Sequence, residues 1–272
     1  MLLVLVVYNK KISDLSFFSQ SIDNPISVFV YDNSNLAQKL PKIKNVIFYY
    51  EHDPSNSGVS RAYNQGAKLA KEMGFEKILL LDQDSKFQTS SMVQYANLYK
   101  KYGDQYIYAP IVIDKMQSKI YSPGYLTRFV GKPQVFKNFR YQELSSLNGM
   151  SLINSGLMIP LNIFDKIGGF NEKLKLDFSD IYFIEKYKKI NPEVILIKIY
   201  LKHSISGDEG KDFQKEYNRF KYYCNASKEI GDSLNTLVFW SPFRRLIRLT
   251  LKYKSAKFIK VFYDYYIKGK SI

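Results

Sequence analysis

This sequence predicts an α/β protein with a doubly wound parallel sheet, helices on both of its faces, and a basic helical tail. Apolar runs at 2–7, 26–31, 46–50, 78–81 and 106–111 are short and rich in β-branched or aromatic residues, as buried parallel strands are. Helical periodicity alternates with these runs, the signature of βαβ units with right-handed crossovers, so the N-terminal half has a nucleotide-binding architecture by pattern alone. The fourth run ends in Asp82-Gln83-Asp84-Ser85, two carboxylates one residue apart. Acids placed there face the ligand crevice of an open α/β sheet, which lies at the carboxyl ends of the strands.

The first run stops at Tyr8-Asn9-Lys10-Lys11, far short of the ~20 residues of a membrane span and without the basic start and cleavage site of a signal peptide, so it reads as the first buried strand. The second run ends in Asp32-Asn33-Ser34, which is ordinary turn chemistry. Between the third and fourth runs, Ala62, Gly66, Leu69, Ala70 and Met73 repeat at three- to four-residue spacing and bury one face of a helix ending at Gly74. Residues 114–150, with Pro123, Gly124, Gly131 and Pro133, break the rhythm and read as an irregular excursion near the site. Helical patterns return at 161–167 and 180–190, a strand at 194–199 and a helix at 211–230. The expected division is a catalytic domain over 1–232 and a basic amphipathic tail over 233–272.

At 272 residues the chain is long enough for one large α/β core, which buries roughly three quarters of its unfolded surface. Its single cysteine, Cys224, makes no internal disulfide, which fits a reducing cytoplasm, and no Cys/His cluster suggests zinc. The formal net charge of +15 calls for an anionic partner: nucleic acid, acidic lipid or a phosphorylated substrate. The distribution narrows that choice. From Ser241 onward nine Lys and Arg stand against Asp264 alone. No helix-turn-helix, finger or aromatic RNA motif accompanies them, so no nucleic-acid partner is expected. A nucleotidyltransferase shares the sheet and the metal carboxylates, but its glycine-rich basic N-terminal loop is missing at Tyr8-Asn9-Lys10-Lys11.

Hard divalent cations prefer oxygen ligands, and Mg²⁺ commonly bridges one or two carboxylates to substrate phosphates, so Asp82 and Asp84 are candidates to hold Mg²⁺ or Mn²⁺; helix or strand capping is the alternative. Asn56, Gly58, Arg61 and Asn64 open the helix after the third strand, where a helix N-terminus, a glycine and a guanidinium suit phosphate; Gly58 as a plain turn glycine is the alternative.

The ordered set Val6-Val7-Tyr8-Asn9, Val30-Tyr31-Asp32-Asn33-Ser34, Asn56-Ser57-Gly58 through Arg61 and Asn64, Leu81-Asp82-Gln83-Asp84-Ser85, Asn154-Ser155-Gly156, Gly168-Gly169-Phe170, Asp177-Phe178-Ser179-Asp180 and His203-Ser204-Ile205-Ser206-Gly207 resembles the family 2 glycosyltransferases of GT-A fold. Leu-Asp-Gln-Asp-Ser is similar to the bacterial rhamnosyltransferase branch that builds O-antigens and capsules, and the resemblance covers roughly residues 2–225. It implies that Asp84 is the principal metal ligand, with Asp82 on the ribose or on the metal through water and His203 as a second ligand. It implies that Asp32 accepts from the uracil or thymine imide, that Ser155 lines the sugar pocket, and that Arg219 approaches the diphosphate. It also implies that Asp180 is the base that deprotonates the acceptor, with helix capping as its plain alternative and Asp177 as its rival. Tyr182 and Lys186 depart from the Glu and Arg often found in that segment.

The activity this resemblance implies is that of an inverting, metal-dependent transferase moving L-rhamnose from dTDP-rhamnose, or a UDP-hexose or UDP-galactofuranose, to a lipid-linked oligosaccharide. In the tail, Phe258, Ile259, Phe262, Tyr265 and Tyr266 fall on one helical face opposite Lys257, Lys260, Asp264 and Lys268. Such a helix suits an anionic membrane surface at the inner face of the plasma membrane, or packing on the protein or in a homodimer.

Overall fold

The structure is a computed structural model that describes residues 1–84, 86–114, 116, 118–127, 130–202 and 212–272. Strands β1 (Leu2–Val7), β2 (Ile26–Asp32), β3 (Val46–His52) and β4 (Lys77–Asp82) pair in parallel in the order β3-β2-β1-β4, with helix α1 (Val59–Glu72) between β3 and β4. Side chains of a strand alternate between faces. In β1 this sends Leu2, Val4 and Val6 into one core and Leu3, Leu5 and Val7 into the other. A strand apolar at every position therefore serves two layers at once. Gly66 lets α1 lie against β1, since a Cβ there would meet a Val4 methyl at 2.5 Å.

Beyond β4 the sheet departs from the parallel expectation. Helix α2 (Met92–Tyr102) leads to β5 (Ile107–Ile113), and then β6 (Lys119–Thr127), β7 (Val130–Val135), β8 (Leu144–Ser146) and β9 (Met150–Ser151) occupy the stretch expected to be irregular. They are antiparallel additions: β6 pairs with β5, β7 and β9, and β8 pairs with the later strand β11. Prolines and glycines argue against strand from local pattern, yet edge strands and bulges accept them. A register shift between Ile120 and Tyr125 absorbs Pro123 and Gly124.

The three-residue β10 (Met158–Pro160) inserts antiparallel between β4 and β5 and runs into α3 (Leu161–Ile167). Helix α4 (Ser179–Lys188) and strand β11 (Glu193–Lys202), parallel to β5, complete the sheet, which holds eleven strands among the described residues.

Helices α5 (Phe213–Ser233), α6 (Trp240–Tyr253) and α7 (Lys257–Val261), the last continued by a π-helical turn Phe262–Ile267, form a second packing unit. Its core joins Phe220 and Cys224 of α5 to Leu246, Leu249, Phe258, Val261, Phe262 and Tyr266. The aromatic face of the tail is thus packed on α5, the protein-packing alternative, and Ile259 stands half exposed beside it. Leu174 and Phe178 pack on Ala226, Ile230 and Val238, which links this unit to the segment before α4.

Candidate active site

The chain leaves β1 toward β2 and β3 on one side and returns as β4 on the other, so the topological switch lies between β1 and β4, where ligands of such sheets bind. Asp82 pairs in register with Val6 and Asp32 with Val7, which sets the two aspartates about 10 Å apart across two strand spacings. Between Asp82 and Asp84, the Gln83 side chain accepts from the Tyr8 N–H (2.9 Å), and its carbonyl accepts from the Lys10 ammonium (3.3 Å). The middle residue of the motif is therefore held through both its side chain and its backbone, and this fixes where its acidic neighbours stand.

The charges of three expected site residues act on one tyrosine. The Tyr63 hydroxyl, delivered from the buried face of α1, donates to Asp82 Oδ1 at 2.9 Å. Burial, then the charges of Asp82, Asp180 and Asp84, push its ionisation well above the usual phenol range, so it remains an O–H donor. Asp180 is the second residue of α4 and not its cap, which is Phe178 in a left-handed conformation (φ 67°). Such a conformation in a bulky residue is strained, and strain of this kind concentrates at functional sites. Burial pushes the Asp180 carboxyl up to about 6; Asp177 and Asp82 add like-charge repulsion, and the Ile181 N–H, donating at 2.8 Å, acts in the opposite sense. Ser60 of α1 fixes the start of α4, donating to the Leu174 carbonyl (2.6 Å) and pairing with the Ser179 hydroxyl (2.9 Å).

Other expected residues are used within the protein. Asp32 is fully buried; it accepts from the Tyr50 hydroxyl (2.8 Å) and the Ser34 N–H (3.0 Å), the turn chemistry weighed against base recognition. Asn64 ties α1 to the turn before α4: its amide donates to the Phe170 carbonyl and Glu172, both at 3.0 Å, and its oxygen accepts from the Phe170 N–H at 2.9 Å. Arg61 reaches Glu172 at 4.0 Å, half exposed. Asn56 is exposed with φ 50° in the loop before α1.

Gly58 has φ 96°, and a Cβ there would stand 2.2 Å from the Lys175 carbonyl oxygen, the acceptor of the Val59 N–H. Gly58→Ala is expected to cost about 1–3 kcal/mol for the backbone conformation alone, and more for the backbone overlap. Thermal unfolding checks this, and an unchanged midpoint would show that the loop is not clamped on Lys175.

Asp53, absent from the residues the sequence singles out, organises that same loop. Burial raises its carboxyl, but bonds from Ser55, Ser57 and Tyr31 outweigh this and hold it below the usual carboxylate range. The spacing Asp53-x-Ser55-x-Ser57 is the available signal, an aspartate set to accept from the N–H groups two and four residues on. Tyr63 gives none, because an aromatic at helical spacing reads as core.

Ser155 is buried beside the Leu80 backbone, whose carbonyl accepts from the Gly156 N–H at 2.8 Å. Arg219 of α5 pairs with Asp177 at 3.5 Å, so its charge stands beside the segment leading to Asp180. His203 lies outside the described residues. Among the described residues the expected cation ligands are Asp82 and Asp84, and no group of three or more metal-ligating side chains is found there. Two carboxylates fit a hard cation that completes its shell with diphosphate oxygens and water.

No protein-family model matches the chain. Among curated proteins it is 26% identical over 187 residues to the dTDP-rhamnosyl transferase RfbF of Shigella flexneri, spanning 65% of this chain and 59% of that relative. Among solved structures it aligns with GalNAc-T7, crystallised with UDP, GalNAc and Mn²⁺ (TM-score 0.55, 12% identity, 96% of this chain and 55% of that one). It also aligns with residues 1–349 of Staphylococcus aureus TarS (TM-score 0.53, 15% identity, 99% of this chain and 91% of that one). The fold is that of the GT-A glycosyltransferases, and the sequence is rhamnosyltransferase-like, as the ordered motifs lead one to expect.

Proposed function

We propose that this protein is an inverting glycosyltransferase that moves a sugar from a nucleotide donor to a lipid-linked oligosaccharide in cell-surface polysaccharide synthesis, at the inner face of the plasma membrane. The observation that carries the reading is the Tyr63–Asp82 hydrogen bond at the switch point of the sheet, where the charges of Asp84 and Asp180 act on the same hydroxyl. The nucleotide lies at the carboxyl ends of β1 and β4 beside Asp82, and Ser155 and Arg219 border the sugar and diphosphate. Asp84 and Asp82 would hold Mg²⁺ or Mn²⁺, which when bound would offset the charge on the departing diphosphate. Asp180 takes the proton from the acceptor hydroxyl as that oxygen attacks the anomeric carbon from the face opposite the diphosphate. A carboxyl pushed up to about 6 is mostly ionised at neutral pH yet basic enough to accept a proton.

The favoured donor is dTDP-L-rhamnose, supported by similarity to a dTDP-rhamnosyl transferase. UDP-hexose or UDP-galactofuranose is the alternative, and the UDP bound in GalNAc-T7 and in the 1–349 fragment of TarS favours it. A donor-consumption screen across dTDP- and UDP-sugars, with Mn²⁺, Mg²⁺ or chelator, separates them: release of dTDP from dTDP-rhamnose in the presence of metal is expected to be fastest. Consumption of no nucleotide sugar under any condition would overturn the reading.

Tyr63→Phe tests the cluster. It keeps the ring packed on Phe170 (centroids 5.0 Å) and removes the donor to Asp82. A hydrogen bond to a charged group contributes about 1.5–3 kcal/mol, so turnover is expected to fall on the order of ten- to a hundredfold. Wild-type turnover would show that Tyr63 does not orient Asp82.

A further inference from the structure

Helix α6 has two different faces. Pro242 is buried, Leu246 and Leu249 enter the tail core, and Arg245 and Lys252 both reach Glu216 of α5 at 3.7 Å. On the opposite side, successive residues turn by about 100°, which brings Trp240, Arg244, Ile247, Arg248 and Leu251 onto one stripe. Trp240, Ile247 and Leu251 are 51%, 45% and 72% exposed, a large apolar share for one side of a 14-residue helix. Arg244 and Arg248 lie exposed along one edge of them, without an acidic partner among the described residues.

We propose that this stripe of α6 docks the protein on an anionic phospholipid surface, with Trp240, Ile247 and Leu251 entering the headgroup boundary and Arg244 and Arg248 meeting lipid phosphates; this rests on the membrane-bound acceptor proposed above. A ring and two aliphatic side chains edged by arginines is the composition of a helix lying in an interface. Charge decides between lipid and a second copy of the chain. A two-fold contact through the stripe would bring Arg244 and Arg248 toward their own copies with no acid between them, whereas an anionic leaflet supplies the missing charge. The rest of the tail agrees, because Lys254, Lys257 and Lys260 are also exposed. No helix among the described residues is long and apolar enough to cross a membrane, so this docking is superficial. The location also differs from the one the sequence suggests, since the α7 ring face is buried on α5.

Trp240 is the only tryptophan in the chain, which makes its emission a direct probe. The full chain is titrated with phosphatidylcholine vesicles containing phosphatidylglycerol, and with phosphatidylcholine alone. A blue shift is expected on the anionic vesicles only, weakening as salt shortens the screening length. Each cation near an anionic leaflet strengthens binding about fivefold, so Arg244→Gln with Arg248→Gln is expected to weaken it about 25-fold. Leu251→Asp should remove the shift, with circular dichroism confirming the fold of each variant. The proposal fails if these variants bind as wild type, or if neutral vesicles bind equally. It also fails if Ile259→Asp and Ile267→Asp abolish binding while the α6 variants do not. A blue shift that grows with protein concentration without vesicles, at dimer mass by light scattering, would mean self-association and overturn it too. Donor consumption measured alongside keeps the two proposals apart. Lost vesicle binding with normal consumption removes the docking face alone, and normal binding with no consumption removes the transferase reading alone.

Discussion

Alanine at Asp84 is expected to reduce sugar transfer by at least a hundredfold, the range for losing a group that stabilises charge developing in a transition state. Asp84 follows β4 by one residue beyond Gln83, and the strand's pairings to β1 and β10 do not involve it. The variant should therefore fold, with an unfolding midpoint close to wild type. Calorimetric titration of Mn²⁺ in the presence of dTDP should show the affinity loss that accompanies the rate loss. A folded Asp84→Ala protein that binds Mn²⁺ and turns over normally would remove the metal site from the Asp82-Gln83-Asp84 turn.

Asp180→Asn is expected to lower turnover on the order of a hundredfold or more while donor binding changes little, because it removes the proton acceptor and keeps size and most hydrogen bonding. The pH dependence supplies an independent check. With its carboxyl pushed up to about 6, wild-type kcat/KM should rise with pH through that region and level off above it; the variant should lack this limb. Stability moves the other way. The folded state holds the Asp180 proton more tightly than an unfolded chain at 3.8, so between pH 3.8 and about 6 the folded state binds more protons and stability falls as pH rises. Asp180→Asn should consequently melt higher than wild type above pH 6, with the gain vanishing below about pH 4. Activity retained in Asp180→Asn but lost in Asp177→Asn would transfer the base role to Asp177. Collapse of donor binding in Asp180→Asn would place that residue in the donor site.

The parts of this protein legible in its sequence are those written in local periodicity. Residues 2–7 are apolar throughout because that strand faces two cores, and the alternating runs around it fix the parallel half of the sheet, β3-β2-β1-β4, with Asp82 at a strand end and Asp84 just beyond it. The antiparallel strands β6 and β7 are hidden because their prolines and glycines deny strand character locally, and β8 and β9 because they are only three and two residues long; pairing with β5, β6 and β11 makes them strands. Similarly, Asp32 and Asn64 carry the residue types of a ligand site, but partners distant in sequence, Tyr50 for one and the Phe170–Glu172 turn for the other, take up their hydrogen bonds.

By itself the sequence determined the fold class, the basic amphipathic tail and a pair of carboxylates at the mouth of a sheet, since each depends on neighbours a few positions away. Only the tertiary structure decided which groups meet: Tyr63 under Asp82, Asp180 close enough to shift the same hydroxyl, and the α7 aromatics turned onto α5 while Trp240 and Leu251 of α6 remain outside. The reason is physical. An amphipathic pattern states that a helix has an apolar face and leaves its partner open, and a titratable side chain takes its proton affinity from burial and charges that the chain brings together from far apart.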